Sequence, residues 1–160
     1  MKKLVVAIGV LTLGVVGIAS GAGSAEPPTT LKASTMVGVS GPYVGASGTP
    51  IRGVSGGGIP WNIDEGKVVL SANGQLEIKV QGLVLATTGA NPVTMFRGLV
   101  SCQTIDGTTA TVQNVSTDPF PASMAGDAKI AQALDLPDPC IAPIVFVTSP
   151  TGAWFAATGV

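Results

Sequence analysis

The feature that most constrains the fold is a strict alternation of apolar and polar side chains in QLEIKVQ, residues 75–81. In an extended chain Leu76, Ile78 and Val80 point to one side, and the polar residues between them point to the other. A helix cannot sort them in this way, because it repeats every ~3.6 residues. The segment therefore predicts a β-strand with one buried and one solvated face.

A turn signal directly precedes this strand and sets its pairing. Asn73-Gly74 follows the apolar run KVVL, so a two-residue hairpin loop is one alternative. That loop would place Leu70 opposite Glu77. A three-residue loop ending at a left-handed Gly74 instead pairs Leu70 with Leu76 and keeps both apolar rows on one face. We therefore predict the three-residue loop.

Further strands are predicted downstream. MFRGLVSCQ and TTATVQNV flank an Asp106-Gly107 turn and form a second hairpin, with Phe96, Val100 and Cys102 on one face. The segment 127–136 fits a helix by propensity and a strand by its period of two, and we interpret it as a strand.

The last twenty-one residues, 140–160, carry no charge. This uncharged stretch is long enough for a membrane span, which needs about 20 residues. Pro143 and Pro150 oppose such a helix. The tetrapeptide from Ser149 to Gly152 is typical of a type I turn. We therefore predict a buried hairpin in which IVFV, residues 144–147, is covered on both faces, as in a sandwich or barrel.

The N-terminal segment has the pattern of a signal peptide. Lys2 and Lys3 precede an apolar stretch, and GAGSA supplies small residues for cleavage after Ala25. We predict a signal peptide over 1–25, secretion to the exterior or the cell envelope, and no membrane span in the mature chain. An uncleaved anchor is the alternative interpretation of the uncharged residues 4–25.

Charge and composition bound the rest of the chain. Without Lys2 and Lys3 the net charge is 6 − 9 = −3, and the absence of a basic cluster in the sequence disfavours a nucleic-acid partner. The Gly/Ser/Thr-rich residues 26–48 predict a flexible lead-in. For 49–160 we predict one all-β domain, an antiparallel β-sandwich or barrel.

Catalytic motifs are weak in this sequence. It contains no histidine, which excludes Ser-His-Asp and Cys-His catalysis and imidazole metal ligation. GVSGG matches the nucleophile elbow around Ser55, but the following Gly57, Gly58 and Pro60 oppose the helix that an elbow needs. A bend that brings Trp61 onto the core is the favoured interpretation of this stretch.

Carboxylates in or near turns are the remaining candidates for chemistry: Asp64, Glu65, Asp106, Asp118, Asp127, Asp135 and Asp138. They suit calcium in type, but no EF-hand loop is present, so solvated turn residues are the favoured interpretation. We predict no catalytic residue, no metal and no cofactor. Arg52 and Trp61 are the candidate surface-binding residues, for an unknown extracellular or cell-surface partner.

Cys102 and Cys140 are the two cysteines of the chain. Export to an oxidising compartment would let them pair, and both can point into one core. Buried free thiols are the alternative. We predict a disulfide across this separation of 38 positions.

The stretches IRGVSGGGIPW, NPVTMFRGLVSC, NVSTDPFPA and PCIAPIVFVTSPTGAWFAATG resemble a group of small secreted bacterial proteins, actinobacterial among them, that carry no assigned function. The resemblance covers the chain from about Ile51 onward and implies secretion and one β-rich domain. In fold alone the chain resembles CHRD-type extracellular domains, although their histidine-bearing segment has no counterpart here.

These observations predict a secreted, non-enzymatic β-sandwich that acts as a binding or structural module at or outside the cell surface. The alternative function is a small secreted hydrolase that uses carboxylates or Ser55. The two differ in one observable respect, since only the hydrolase would lose a measurable turnover when Ser55 or a single carboxylate is replaced.

Overall fold

The computed structural model describes residues 28–159, which form an antiparallel β-sandwich. Its strands are β1 (Thr29–Ala33), β2 (Val37–Gly38), β3 (Trp61–Asn62), β4 (Glu65–Ser71), β5 (Gln75–Gln81), β6 (Val84–Leu85), β7 (Met95–Asp106), β8 (Thr109–Ser116), β9 (Phe120–Pro121), β10 (Ala128–Ala133), β11 (Ile141–Thr148) and β12 (Trp154–Ala157). A single turn of 3-10 helix spans Gly41–Tyr43. The predicted all-β class is confirmed.

Two sheets make up the sandwich. One has four strands in the order β1-β4-β5-β10, and the other has the order β2-β12-β11-β7-β8, with β9 also pairing with β7. Strands β3 and β6 form a small third sheet. None of the helical residues between 28 and 159 belongs to a segment with the length and hydropathy of a membrane span.

The β4–β5 hairpin has the predicted register. Leu70 pairs with Leu76 and Val68 with Ile78, around a three-residue loop. Gly74 closes this loop in the left-handed region, with φ of 81°, and its amide donates to the Ser71 carbonyl at 3.0 Å. A side chain with a Cβ is strained at such a φ, so glycine at this position explains why the longer loop forms.

The core lies between the two sheets. Leu76 and Ile78 on β5 reach the backbone of β7 at Gly98, where a Cβ would come within 3.0 Å of both side chains. Val100 and Ile130 are fully buried in the same cluster. Because Gly98 has no side chain, the apolar row of β5 packs directly on the backbone of the opposite sheet.

The region predicted as a flexible lead-in, 26–48, is structured wherever it is described. Strand β1 pairs with β4, and β2 pairs with β12, so the segment joins both sheets. Met36 and Val39 are buried in the core. The prediction was wrong because Gly, Ser and Thr dominate the composition of this segment, whereas its few apolar residues decide its structure by packing.

The C-terminal run is the predicted buried hairpin. The Gly152 amide donates to the Ser149 carbonyl at 3.0 Å and closes the turn between β11 and β12. Val145, Phe146 and Val147 are all fully buried, which confirms that this part of β11 is covered on both faces. One face packs into the sandwich, and the other lies under Trp154, whose ring centroid is 5.8 Å from that of Phe146.

The remaining strand predictions are also confirmed. The β7–β8 hairpin turns at Asp106-Gly107, and the ambiguous segment 127–136 contains strand β10, which pairs with β5 throughout its length. Cys102 and Cys140 are disulfide-bonded, with Cα atoms 4.9 Å apart. The bond ties β7 to the residue that precedes β11, at the end of the sheet away from the C-terminal turn.

Candidate binding surface

Arg52 lies in a tight turn on the outer side of the six-stranded sheet. Ile51 and Val54 exchange two backbone hydrogen bonds of 3.1 and 2.9 Å, and the two residues between them have φ of 50° (Arg52) and 81° (Gly53). Two successive positive φ values define a type I′ turn. Glycine accepts this conformation, but a long side chain such as Arg52 does so only at an energetic cost.

Two hydrogen bonds hold the Arg52 turn on the sheet. The guanidinium donates to the Ser101 carbonyl at 2.9 Å, and the Asn114 side-chain amide donates to the Arg52 carbonyl at 3.1 Å. The turn therefore spans β7 and β8, which carry Ser101 and Asn114 opposite each other. These contacts explain how the left-handed backbone of Arg52 persists.

A second strained residue lies beside Arg52. Ala142 has φ of 46° and begins a bulge in β11, where Ala142 and Pro143 together face a single position of β7. A proline fits there because a bulged residue donates no ladder hydrogen bond. Arg52 and Ala142 are the two non-glycine residues with positive φ among residues 28–159, and both line one groove of about 500 Å³.

Three large apolar side chains remain exposed on this side of the sheet. Gln103 on β7 lies between Val112 on β8 and Ile141 on β11, and Ile105 follows two positions along β7. The exposed fractions of Ile105, Val112 and Ile141 are 53%, 42% and 48%. We call these three residues the outer patch. Asn114 shares their face of β8, so the Arg52 turn borders the outer patch.

Strand β8 forms an edge of the six-stranded sheet. Within residues 28–159 it pairs with β7 alone, and its side chains are exposed from Thr109 to Asn114. Its sequence, TATVQNVS, contains no charge and no proline. Natural edge strands usually carry such residues to prevent pairing with other chains, so β8 is an open edge of eight residues.

Trp61, the second candidate for surface binding, is a core residue instead. Only 4% of it is exposed, and its ring stacks on Phe155 with centroids 4.0 Å apart and meets Phe96 edge to face at 6.3 Å. A Cβ on Gly57 would lie 3.1 Å from the Phe155 ring, so the glycine-rich stretch makes room for this stack. The predicted bend onto the core is confirmed, and the surface role of Trp61 was wrong.

Ser55 lies in an extended segment beside β12. Its carbonyl accepts a hydrogen bond from the Trp154 amide at 2.9 Å, and neighbouring Gly56 bridges to Trp154 in parallel. Between Ser55 and residue 159 the chain forms no helix, in agreement with the sequence-based expectation. The cleft beside Ser55 is lined by glycine and apolar residues together with Asn114 and Thr151, so among the described residues no ionisable side chain lines it.

The turn carboxylates are distributed over several turns and strand ends of the described chain. Within residues 28–159 no three Asp, Glu, Cys or His side chains group closely enough to hold a metal ion. Asp127 accepts a hydrogen bond from the Gly82 amide at 3.1 Å, which gives it a structural role in a turn. Lys67 holds the pKa of Glu65 below its ordinary value, first through a hydrogen bond and then through its charge.

The outer patch is not predicted by the sequence pattern. Ile105 and Val112 flank the Asp106-Gly107 turn, and apolar residues in a predicted hairpin are ordinarily assigned to a core. They are exposed because they lie on the outer face of the six-stranded sheet, whereas the other face of β7 meets Leu76 and Ile78 of the four-stranded sheet at Gly98. The sequence of β8 does contain a signal for this exposure. Its polar residues Thr, Gln and Asn occur at both odd and even positions, so neither face of the strand is apolar throughout, as a face packed on a core would be.

Comparison of the chain with protein-family models, curated proteins and solved structures found no match. The resemblance to small secreted bacterial proteins therefore stays a prediction.

Proposed function

We propose that this protein is an exported, non-enzymatic β-sandwich that binds another protein outside the cytoplasm. The observation that carries the proposal is the position of the outer patch, which begins at Val112 on the open edge strand β8 and continues over β7 and β11 to Ile105 and Ile141. The N-terminal pattern and the Cys102–Cys140 bond support export, because disulfides persist in oxidising compartments.

An extended polypeptide segment is the partner that this surface suits best. A strand added to β8 would use its free N–H and C=O groups for affinity, and alternate side chains of that strand would cover Val112 and its neighbours for specificity. The absence of charge in Thr109–Ser116 removes the electrostatic barrier that usually protects an edge. The Cys102–Cys140 bond ties β7, the strand that pairs with β8, to the start of β11, so the edge is linked covalently to the rest of the sheet before a partner binds.

Site-specific photo-crosslinking tests the proposal. A photoreactive residue at Val112, in protein exported by its native host, should give one discrete heterologous adduct. The same residue at Met124, which is 81% exposed but distant in the fold, is the matched control and should give none. Ile141→Asp should abolish the adduct at Val112, because a charge in the outer patch cannot be desolvated cheaply.

Two results would overturn the proposal. Equal crosslinking at Val112 and Met124 would mean that exposure alone determines the adduct. An adduct with twice the mass of the chain would mean that a second copy occupies the edge.

A hydrolase screen tests the catalytic alternative. The purified protein should show no turnover above that of a buffer blank with ester, peptide and glycoside substrates. Activity that is lost in Ser55→Ala or in a single carboxylate variant would establish the hydrolase instead.

A further inference from the structure

The four-stranded sheet brings together three lysines that are far apart in the linear sequence. Lys67 on β4 pairs directly with Lys79 on β5, and Lys79 pairs directly with Lys129 on β10. All three side chains are exposed, and each alternates with buried neighbours such as Val68 and Ile130. We call these three residues the cationic row. With strands about 4.8 Å apart, the row runs across three strands over about 10 Å.

Basic residues concentrate on this side of the protein. The described residues contain six Lys and Arg side chains, and four of them lie on the outer face of this sheet: Lys32, Lys67, Lys79 and Lys129. Two carboxylates, Glu65 and Glu77, accompany them there. The face is therefore positive, although the whole chain has a net charge of −1.

The cationic row works against folding. Like charges directly opposite on neighbouring strands repel and destabilise a sheet. Lys67 forms an ion pair with Glu65, whereas Lys79 and Lys129 have no carboxylate oxygen within 4.0 Å among residues 28–159. An arrangement that costs stability and lies on the surface indicates a role in binding an anion.

The shape of the face limits what the anion can be. A shallow depression of about 90 Å³ lies among the lysines, with Val69 in its lining. The large exposed apolar side chains of residues 28–159 lie on other strands and loops, so this face lacks the groups that insert into a lipid layer. Its outward positions on β4, β5 and β10 also lack aromatic rings for stacking on bases.

The rows beside the lysines favour a sugar polymer. Glu65 and Gln81 form the row on one side, and Glu77 lies in the row on the other. Carboxylate and amide oxygens accept hydrogen bonds from hydroxyl groups, and the carboxylates repel a surface that is anionic throughout. We propose that the cationic row binds a linear acidic polysaccharide, whose carboxylates contact the lysines and whose hydroxyls contact the flanking rows. This inference goes beyond the proposed protein partner, because it concerns the opposite sheet.

Binding of a soluble polyuronate, polygalacturonate, to the purified exported protein tests the inference. Isothermal titration calorimetry should show binding that weakens as salt is raised, because exposed charges are screened. Lys79→Gln, at the centre of the row, should reduce affinity about tenfold. Lys32→Gln removes the same charge from the same face outside the row, and it should change affinity less than about twofold.

Thermal unfolding of the same variants separates binding from stability. Lys79→Gln relieves repulsion on both sides and should unfold at the same or a higher temperature than the wild type. A variant that loses affinity while keeping or gaining stability identifies Lys79 as a binding residue. If Lys79→Gln lowers both together, the cationic row is structural and the inference fails.

Three further outcomes would overturn it. One is no binding of polygalacturonate at low salt. Another is an equal loss of affinity in Lys32→Gln and Lys79→Gln, which would reduce the effect to net charge. The third is tighter binding of a glycerol-phosphate polymer or of phosphatidylglycerol vesicles than of polygalacturonate, which would assign the face to phosphate groups.

Discussion

The indole ring of Trp61 stacks on the phenyl ring of Phe155 with centroids 4.0 Å apart and planes 19° from parallel. The stack joins β3, at the end of the glycine-rich stretch, to the last strand of the chain, β12. Phe96 closes it from the side, 5.8 Å from Phe155. Side chains from three distant parts of the sequence thus meet in one aromatic cluster.

Replacing either member of the stack should destabilise the protein strongly. Trp61→Ala or Phe155→Ala removes a large buried ring and should lower the free energy of unfolding by about 3–5 kcal/mol. Urea denaturation followed by circular dichroism measures this change. Met124→Ala, at an exposed loop position, is the control and should cost less than about 0.5 kcal/mol. A small effect of Trp61→Ala would contradict its place in the core.

The Cys102–Cys140 bond should contribute substantially to stability. The two residues are 38 positions apart, and closing a loop of that length restricts the unfolded chain by about 4 kcal/mol on the chain-entropy estimate. Adding a reductant during urea denaturation should therefore lower the unfolding midpoint. The double variant Cys102→Ala and Cys140→Ala should already have the lower midpoint and should not respond to reductant. Two alkylatable thiols in folded, unreduced protein would disprove the bond.

Two glycines with positive φ provide a matched test of close packing. Gly107 has φ of 61°, and no atom lies within 4 Å of the place that an added methyl group would occupy. Gly107→Ala should therefore cost only the left-handed strain of about 1–2 kcal/mol. At Gly74 an added Cβ would collide with the Leu134 carbonyl oxygen. Gly74→Ala should cost about 2–5 kcal/mol, strain and overpacking together. Equal costs in urea denaturation would mean that the Gly74 loop moves freely away from β10.

The pKa of Glu65 should respond to Lys67. A hydrogen bond from Lys67, its charge and the weaker field of Lys79 keep the pKa of Glu65 below its ordinary value. An NMR titration should show that this pKa rises toward the ordinary value in Lys67→Gln and moves less in Lys79→Gln. Because the folded pKa is depressed, the ionised form stabilises the fold above the unfolded pKa, and this contribution is lost as pH falls through the folded pKa. An unchanged Glu65 pKa in Lys67→Gln would contradict the pairing.

The sequence predicted local pairing well and surface placement poorly. The alternation from Leu76 to Val80 and the glycine at position 74 determine a hairpin and its register, because both depend on neighbouring residues. The same register already implied that Lys67 faces Lys79. Lys129 could not be added to that pair, because the position of β10 depends on contacts between distant parts of the chain.

The residues exposed on the outer face of the six-stranded sheet could not be predicted from local sequence pattern for a similar reason. Predicting that Ile141 is exposed requires the bulge at Ala142, which shifts β11 against β7. Predicting that Met36 is buried requires the pairing of β2 with β12, across more than a hundred residues. Composition alone predicts a linker for residues 26–48 and an apolar run for residues 140–160. Neither prediction indicates that the two segments contact each other.

That contact has a consequence for how the chain acquires its structure over time. A polypeptide is made from its N-terminus, and the four-stranded sheet has all its members once Ala133 has been synthesised. Strand β2 pairs later than the strands of that sheet, because Gly38 can pair with Ala156 only after the final strand has been synthesised. While the chain grows from Ala133 to Ala156, one layer of the sandwich can therefore be complete while the other still lacks its central strand β11 or its partner β12, so the apolar row of β5 has only part of its final cover.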